Sequence, residues 1–97
     1  MERRQFGRRT VFKPAIIMQE HQDRIDCTVI DISQGGARIQ YHKVSDLLDE
    51  FTLIIEEDDM VVDCRVAHRQ ASSIGVQFMR LPRKLSWLQS KRSRGAL

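Results

Sequence analysis

The side chains best suited to chemistry fall into two short segments, Arg3-Arg4-Gln5-Phe6-Gly7-Arg8-Arg9 and Asp31-Ile32-Ser33-Gln34-Gly35-Gly36. Arginine presents a planar fork of donors that fits phosphate oxygens and the O6/N7 edge of guanine, and the flat guanidinium also stacks on a base. Arg4 and Arg8 stand four residues apart, and Gly7 lets the chain bend between them. Two such forks on one segment could grip a ligand that carries both a base and a phosphate. Lysine, a point charge without a flat face, would serve less well. An ordinary solvated basic tail can contain the same string, so taken alone it names no ligand.

In the second segment Asp31 and Ser33 are two apart at the end of a strand, which turns both side chains to one face, while Ile32 points the other way, to the core. A carboxylate there can accept from the N–H edge of a guanine, and a hydroxyl beside it can donate or accept. Gly35 and Gly36 are expected to supply positive-φ positions for a tight connection. A plain Asp/Ser-Gly hairpin has the same composition.

Other chemistries find little support. His21, His42 and His68 are dispersed, Ser33 does not sit in a G-x-S-x-G elbow, and no pair of carboxylates is set among apolar residues in a way that suggests raised pKa values. Cys27 and Cys64 lack C-x-x-C spacing and read as buried thiols rather than zinc ligands or a disulfide. The chain is therefore expected to be a binding module and not an enzyme, with no catalytic residues, no metal and no cofactor.

The charge is uneven. Residues 1–13 hold five basic side chains against Glu2, and residues 80–97 hold six with no acid. The stretch between holds five bases and twelve acids, for a net +3 overall. Basic ends on an acidic body suit an anionic partner near the termini, or merely keep the protein soluble. No apolar run has signal-peptide or membrane-spanning length, so neither secretion nor membrane insertion is expected and the cytoplasm is the natural compartment.

What must position these segments is a set of strands. Apolar residues alternate at Ala15/Ile17, Cys27/Val29, Ala37/Ile39/Tyr41, Phe51/Leu53/Ile55, Val62/Cys64/Val66 and Ile74/Val76/Phe78. Breakers separate them at 20–23, 34–36, 56–59 and 70–73, the acidic 56–59 reading as a solvated hairpin tip. Ser45 is placed to cap one helical turn before the strand at Phe51. The period changes at Leu81, Leu85 and Leu88, with Trp87 beside them and Pro82 suited to a first turn. The expected architecture is one all-β domain over 1–97: a mobile arginine-rich arm over 1–9, a six-stranded antiparallel barrel over 10–79, a helix over 81–90 plugging a barrel end, and a tail over 91–97.

An R-x-x-x-R at the start, D-x-S-x-x-G at the end of the second strand, and Ile74-Gly75-Val76-Gln77-Phe78 as the last strand together resemble the PilZ domain family, over residues 2 to about 87. PilZ domains are six-stranded antiparallel barrels with a C-terminal helix, and many are receptors for cyclic di-GMP. The resemblance implies that Arg4 and Arg8 clamp the guanines and phosphates. It gives Asp31 and Ser33 a guanine contact on the barrel face, with Gly36 at the motif's turn position beside Gly35. A basic residue just ahead of the motif, here Arg3, goes with an intercalated pair of nucleotides in this family, and Arg9 is a candidate helper. The implied output is an arm ordered by ligand that offers a new surface to a separate downstream protein.

Two readings compete with it. A nucleic-acid-binding barrel would explain the basic termini, but the aromatic content of 6% and the acidic body weigh against it. A ligand-free interaction domain of the same fold is the other, and the intact arginines weigh against that.

Overall fold

The computed structural model describes residues 9–20 and 24–88. Arg3, Arg4 and Arg8, residues 21–23 of the expected polar turn and the residues after Leu88 lie outside the described residues. Seven strands run β1 Arg9–Met18, β2 Arg24–Ile32, β3 Gly36–Gln40, β4 Glu50–Ile55, β5 Met60–Arg69, β6 Ser73–Phe78 and β7 Arg83–Lys84. Every pairing is antiparallel. The order β4-β1-β2-β3-β6-β5 closes on itself through a β4–β5 pairing, so the expected six-stranded barrel is present. Strand β7 pairs Met60 and Val61, carrying on along β5 from where Phe78 of β6 pairs Cys64.

The period-two pattern is what fills the barrel. Ala15 and Ile17 of β1, Val29 of β2, Ile39 of β3, Phe51, Leu53 and Ile55 of β4, Val62 and Cys64 of β5, and Ile74 and Val76 of β6 form one buried cluster. Each valine, leucine, isoleucine or phenylalanine side chain among them, removed from water, contributes roughly 1.5–3 kcal/mol. Cys64 is fully buried and Cys27 partly so, and both thiols are free.

Strict alternation does not survive along the whole of three strands. The registers shift between Thr10 and Lys13 on β1, between Val29 and Asp31 on β2, and between Val66 and His68 on β5. On β2, Val29 pairs Ile39 and Asp31 pairs Arg38, so Ile30 is one residue too many for β3. That bulge reverses the facing of the residues beyond it. Val29 is buried and Ile32 also packs against the core, leaving Asp31 and Ser33 on the outer face.

Several local expectations need correction. The helix expected over 81–90 starts later: Arg83 and Lys84 are strand, and among the described residues only 85–88 are helical. Nor does it plug the barrel, since Leu81 is 85% and Trp87 63% exposed. The core residues contributed from outside the strands are Val44 and Leu47, in the β3–β4 connection. That connection holds the single helical turn expected there, as 3-10 helix at Val44–Asp46, but Ser45 lies inside it and does not cap it. The acidic 56–59 tip is more than a solvated turn. Asp58 pairs with Lys13 at 2.8 Å, and Asp59 accepts from the Ser86 N–H at 2.7 Å and its Oγ at 2.8 Å, anchoring the last helix. Asp59 adopts φ 56°, the one non-glycine residue with positive φ among those described. Arg9, assigned to the arm, is the first residue of β1.

Candidate functional site

The D-x-S-x-x-G turn joins β2 to β3. The Ser33 N–H donates to the Gly36 carbonyl at 2.9 Å, and its Oγ lies 3.3 Å from the same oxygen. The Phe78 N–H donates to the Gly35 carbonyl at 2.9 Å, which ties the turn to β6. The glycines are not there for positive φ, because neither has its φ in the left-handed range. Gly36 is needed for close approach: a Cβ on it would fall under 3.0 Å from the Val76 carbonyl oxygen. A Cβ on Gly35 would meet nothing within 4 Å.

Cross-strand register builds the rest of the site. Thr10 of β1 pairs Asp31 of β2, Asp31 pairs Arg38 of β3, Arg38 pairs Gly75 of β6, and Gly75 pairs His68 of β5. These five residues form one row across the sheet. Gly36 pairs Gln77 in the neighbouring row. Asp31, Ser33, Gly35, Gly36, Arg38, His68, Gly75 and Gln77 all line a concavity of about 250 Å³. The floor is shaped by Gly75, where a Cβ would stand 2.6 Å from His68 Cε1, so only glycine lets the imidazole lie down over the strand.

Arg38 is the cation of this surface. Its Nη1 donates to Gln70 Oε1 and to Ser73 Oγ, each at 3.1 Å, and its Nη2 lies 2.9 Å from His68 Nε2. A guanidinium only donates, so His68 Nε2 accepts and the ring proton sits on Nδ1. The lining therefore carries a carboxylate from β2 and a guanidinium from β3, with a hydroxyl, a carboxamide and an imidazole around them. It can bind a polar ligand with donor and anionic parts.

Of the residues singled out in the sequence, Asp31, Ser33, Gly35 and Gly36 are brought together on this concavity. Arg9 opens β1 opposite Ile32, immediately beside them. Arg38, His68 and Gln77 escaped sequence reading because β3, β5 and β6 bring them in separately. Gly75 was the available signal, since a lone glycine inside a strand marks a close approach.

A wider groove of about 730 Å³ between the β1 end, β4 and β5 holds none of the motif residues. Three of the carboxylates lining it, Asp49, Glu50 and Asp63, are paired with Arg69, Arg65 and Arg80. Among the described residues no group of acids, histidines and cysteines is arranged to hold a metal ion, and no helix is long and apolar enough to cross a membrane.

Compared with known protein families, residues 2–90 match the family model of the PilZ domain. No curated protein matches the chain.

Proposed function

Since the chain belongs to the PilZ family, whose members are binding and adaptor domains for cyclic di-GMP rather than enzymes, we propose that it is a cyclic di-GMP receptor that signals to a separate protein. The observation that carries this reading is the pairing of Arg9 with Ile32 and Thr10 with Asp31. It sets Arg9, the last residue of the arginine-rich segment, on β1 beside the carboxylate and hydroxyl that would hold a guanine. Arg4 and Arg8 close over the ligand from the arm, with Arg3 and Arg9 assisting. Asp31 accepts from the guanine N–H edge, Ser33 supports it, and Gly35 and Gly36 allow the ligand to approach the backbone.

The energetics suit a switch. Ordering each residue of an arm costs roughly 1–2 kcal/mol, so binding must supply several strong contacts. Arginine–phosphate bonds are charge-assisted and among the strongest available. An intercalated pair of cyclic dinucleotides brings four phosphates to four arginines. The arm folded over such a pair forms a surface that the free protein lacks, and a partner can read it.

Titration calorimetry with cyclic di-GMP tests this. The wild type should saturate at two nucleotides per chain. Arg4→Ala and Arg8→Ala should each weaken binding by at least about tenfold, the worth of one charge-assisted contact. Undiminished binding in both variants removes the clamp. A silent wild type favours the ligand-free interaction domain instead.

A further inference from the structure

We propose that Arg38 is a phosphate-binding residue built into the barrel floor, separate from the arginines of the arm. The inference rests on the guanine-nucleotide reading above and names a contact that neither motif contains.

The guanidinium is held from behind by three acceptors, Gln70 Oε1, Ser73 Oγ and His68 Nε2, all of them neutral. They fix its plane without cancelling its charge. Ser73 Oγ lies 3.2 Å from Gln70 Oε1, so two of the three acceptors are braced against each other. His68 is fixed in turn by lying on Gly75. Other arginines on this barrel differ: Arg65, Arg69 and Arg80 each contact a carboxylate within 3.1 Å. Three of the five guanidinium N–H groups are accounted for by the neutral acceptors, which leaves two for a ligand in the concavity.

The position is right for the remainder of a nucleotide whose base rests on Asp31. Arg38 pairs Asp31 across β2 and β3, but its head reaches toward Gln70 and Ser73 at the β5–β6 turn, away from Asp31. The concavity is thus bipolar, with an acceptor at the β2 side and a donor cation at the β5–β6 side. His68 lies two strands beyond Arg38 in the row, roughly 10 Å at the usual spacing between strands. Guanine offers N–H donors and its phosphate offers anionic oxygens, the same order of chemistry as the surface.

The test is calorimetric titration of the full chain with cyclic di-GMP at several salt concentrations, using wild type, Arg38→Gln, Arg38→Lys and the charge control Arg24→Gln. Arg24 opens β2 and lies seven residues from Asp31, on the order of 23 Å along the strand. Arg38→Gln should weaken binding about 10- to 100-fold and flatten the dependence of log K on log salt by close to one ion. Arg38→Lys keeps the charge but not the three-acceptor brace, and should keep the salt slope while losing several-fold in affinity. Arg24→Gln should stay within about twofold of wild type in affinity. Melting temperatures identify any variant with a damaged fold, and a structural role alone would not move the salt slope. If wild type binds and Arg38→Gln binds equally well with an unchanged slope, the inference fails and the receptor reading stands. If wild type does not bind, both fall.

Discussion

Replacing Gly36 with alanine puts the structural account of the turn at risk. The added methyl would sit under 3.0 Å from the Val76 carbonyl oxygen and 3.4 Å from its carbon. Both are backbone atoms of the paired strand, so neither can swing aside. Restoring ordinary contact requires β3 and β6 to part by on the order of 1 Å, against a usual spacing of about 4.8 Å. The two turn hydrogen bonds, Ser33 N–H to Gly36 and Phe78 N–H to Gly35, each 2.9 Å, lie next to that displacement. Weakening both, together with overpacking, should cost about 2–4 kcal/mol. In a domain of this size that corresponds to a fall of roughly 10–25 °C in Tm. Thermal unfolding followed by circular dichroism measures it, with Gly35→Ala as the matched control. A Cβ at Gly35 meets nothing, and neither glycine has left-handed φ, so that variant should be neutral or gain up to about 1 kcal/mol. A Gly36→Ala protein that melts within about 2 °C of wild type, or a Gly35→Ala protein equally damaged, would refute the close-approach explanation.

Two further outcomes derive from the packing. Asp59→Ala removes the acceptor for both Ser86 groups and should cost about 1–2 kcal/mol, seen in the thermal melt and in the fluorescence of the single tryptophan, Trp87. Asp59→Asn, which keeps an acceptor and tolerates the φ of 56°, should cost less. The thiols should be inert. Burial first, and then Asp26, pushes Cys27 up to about 12, and burial followed by Asp63 and Cys27 does the same for Cys64. Only the thiolate attacks, so Ellman's reagent at pH 8 should label the native protein far more slowly than the unfolded chain. Because the unfolded thiols ionise near pH 9, the fully buried Cys64 supports the fold below that pH. Its contribution is lost as pH rises toward 12, by up to about 1.4 kcal/mol per pH unit. Rapid native labelling of both cysteines would contradict this.

Much of the barrel was legible because its strands are half-buried and period two is a direct consequence of that. What alternation hides is a bulge. Read strictly, Val29 and Asp31 share a face, while Ile32 also reads as core, and the two readings conflict. The extra residue at Ile30 resolves them and turns Asp31 outward. The tail misled for a related reason. Leu81, Leu85 and Leu88 have helical spacing, but pairing of Arg83 and Lys84 with β5 claims the backbone first, leaving Leu81 exposed. In the site, Asp31, Ser33 and Gly36 were readable since they are close in sequence. Arg38, His68 and Gln77 meet only through register, which no local pattern reports.

Amide chemical-shift mapping during titration with cyclic di-GMP addresses most directly whether arm and turn share one ligand. The account predicts that resonances of Arg3 to Thr10, Asp31 to Arg38 and His68 to Gln77 move together along one saturating curve, while those of Leu48 to Thr52 in the wider groove stay still. Movement centred on that groove, or an arm whose signals stay fixed while the turn responds, would contradict it.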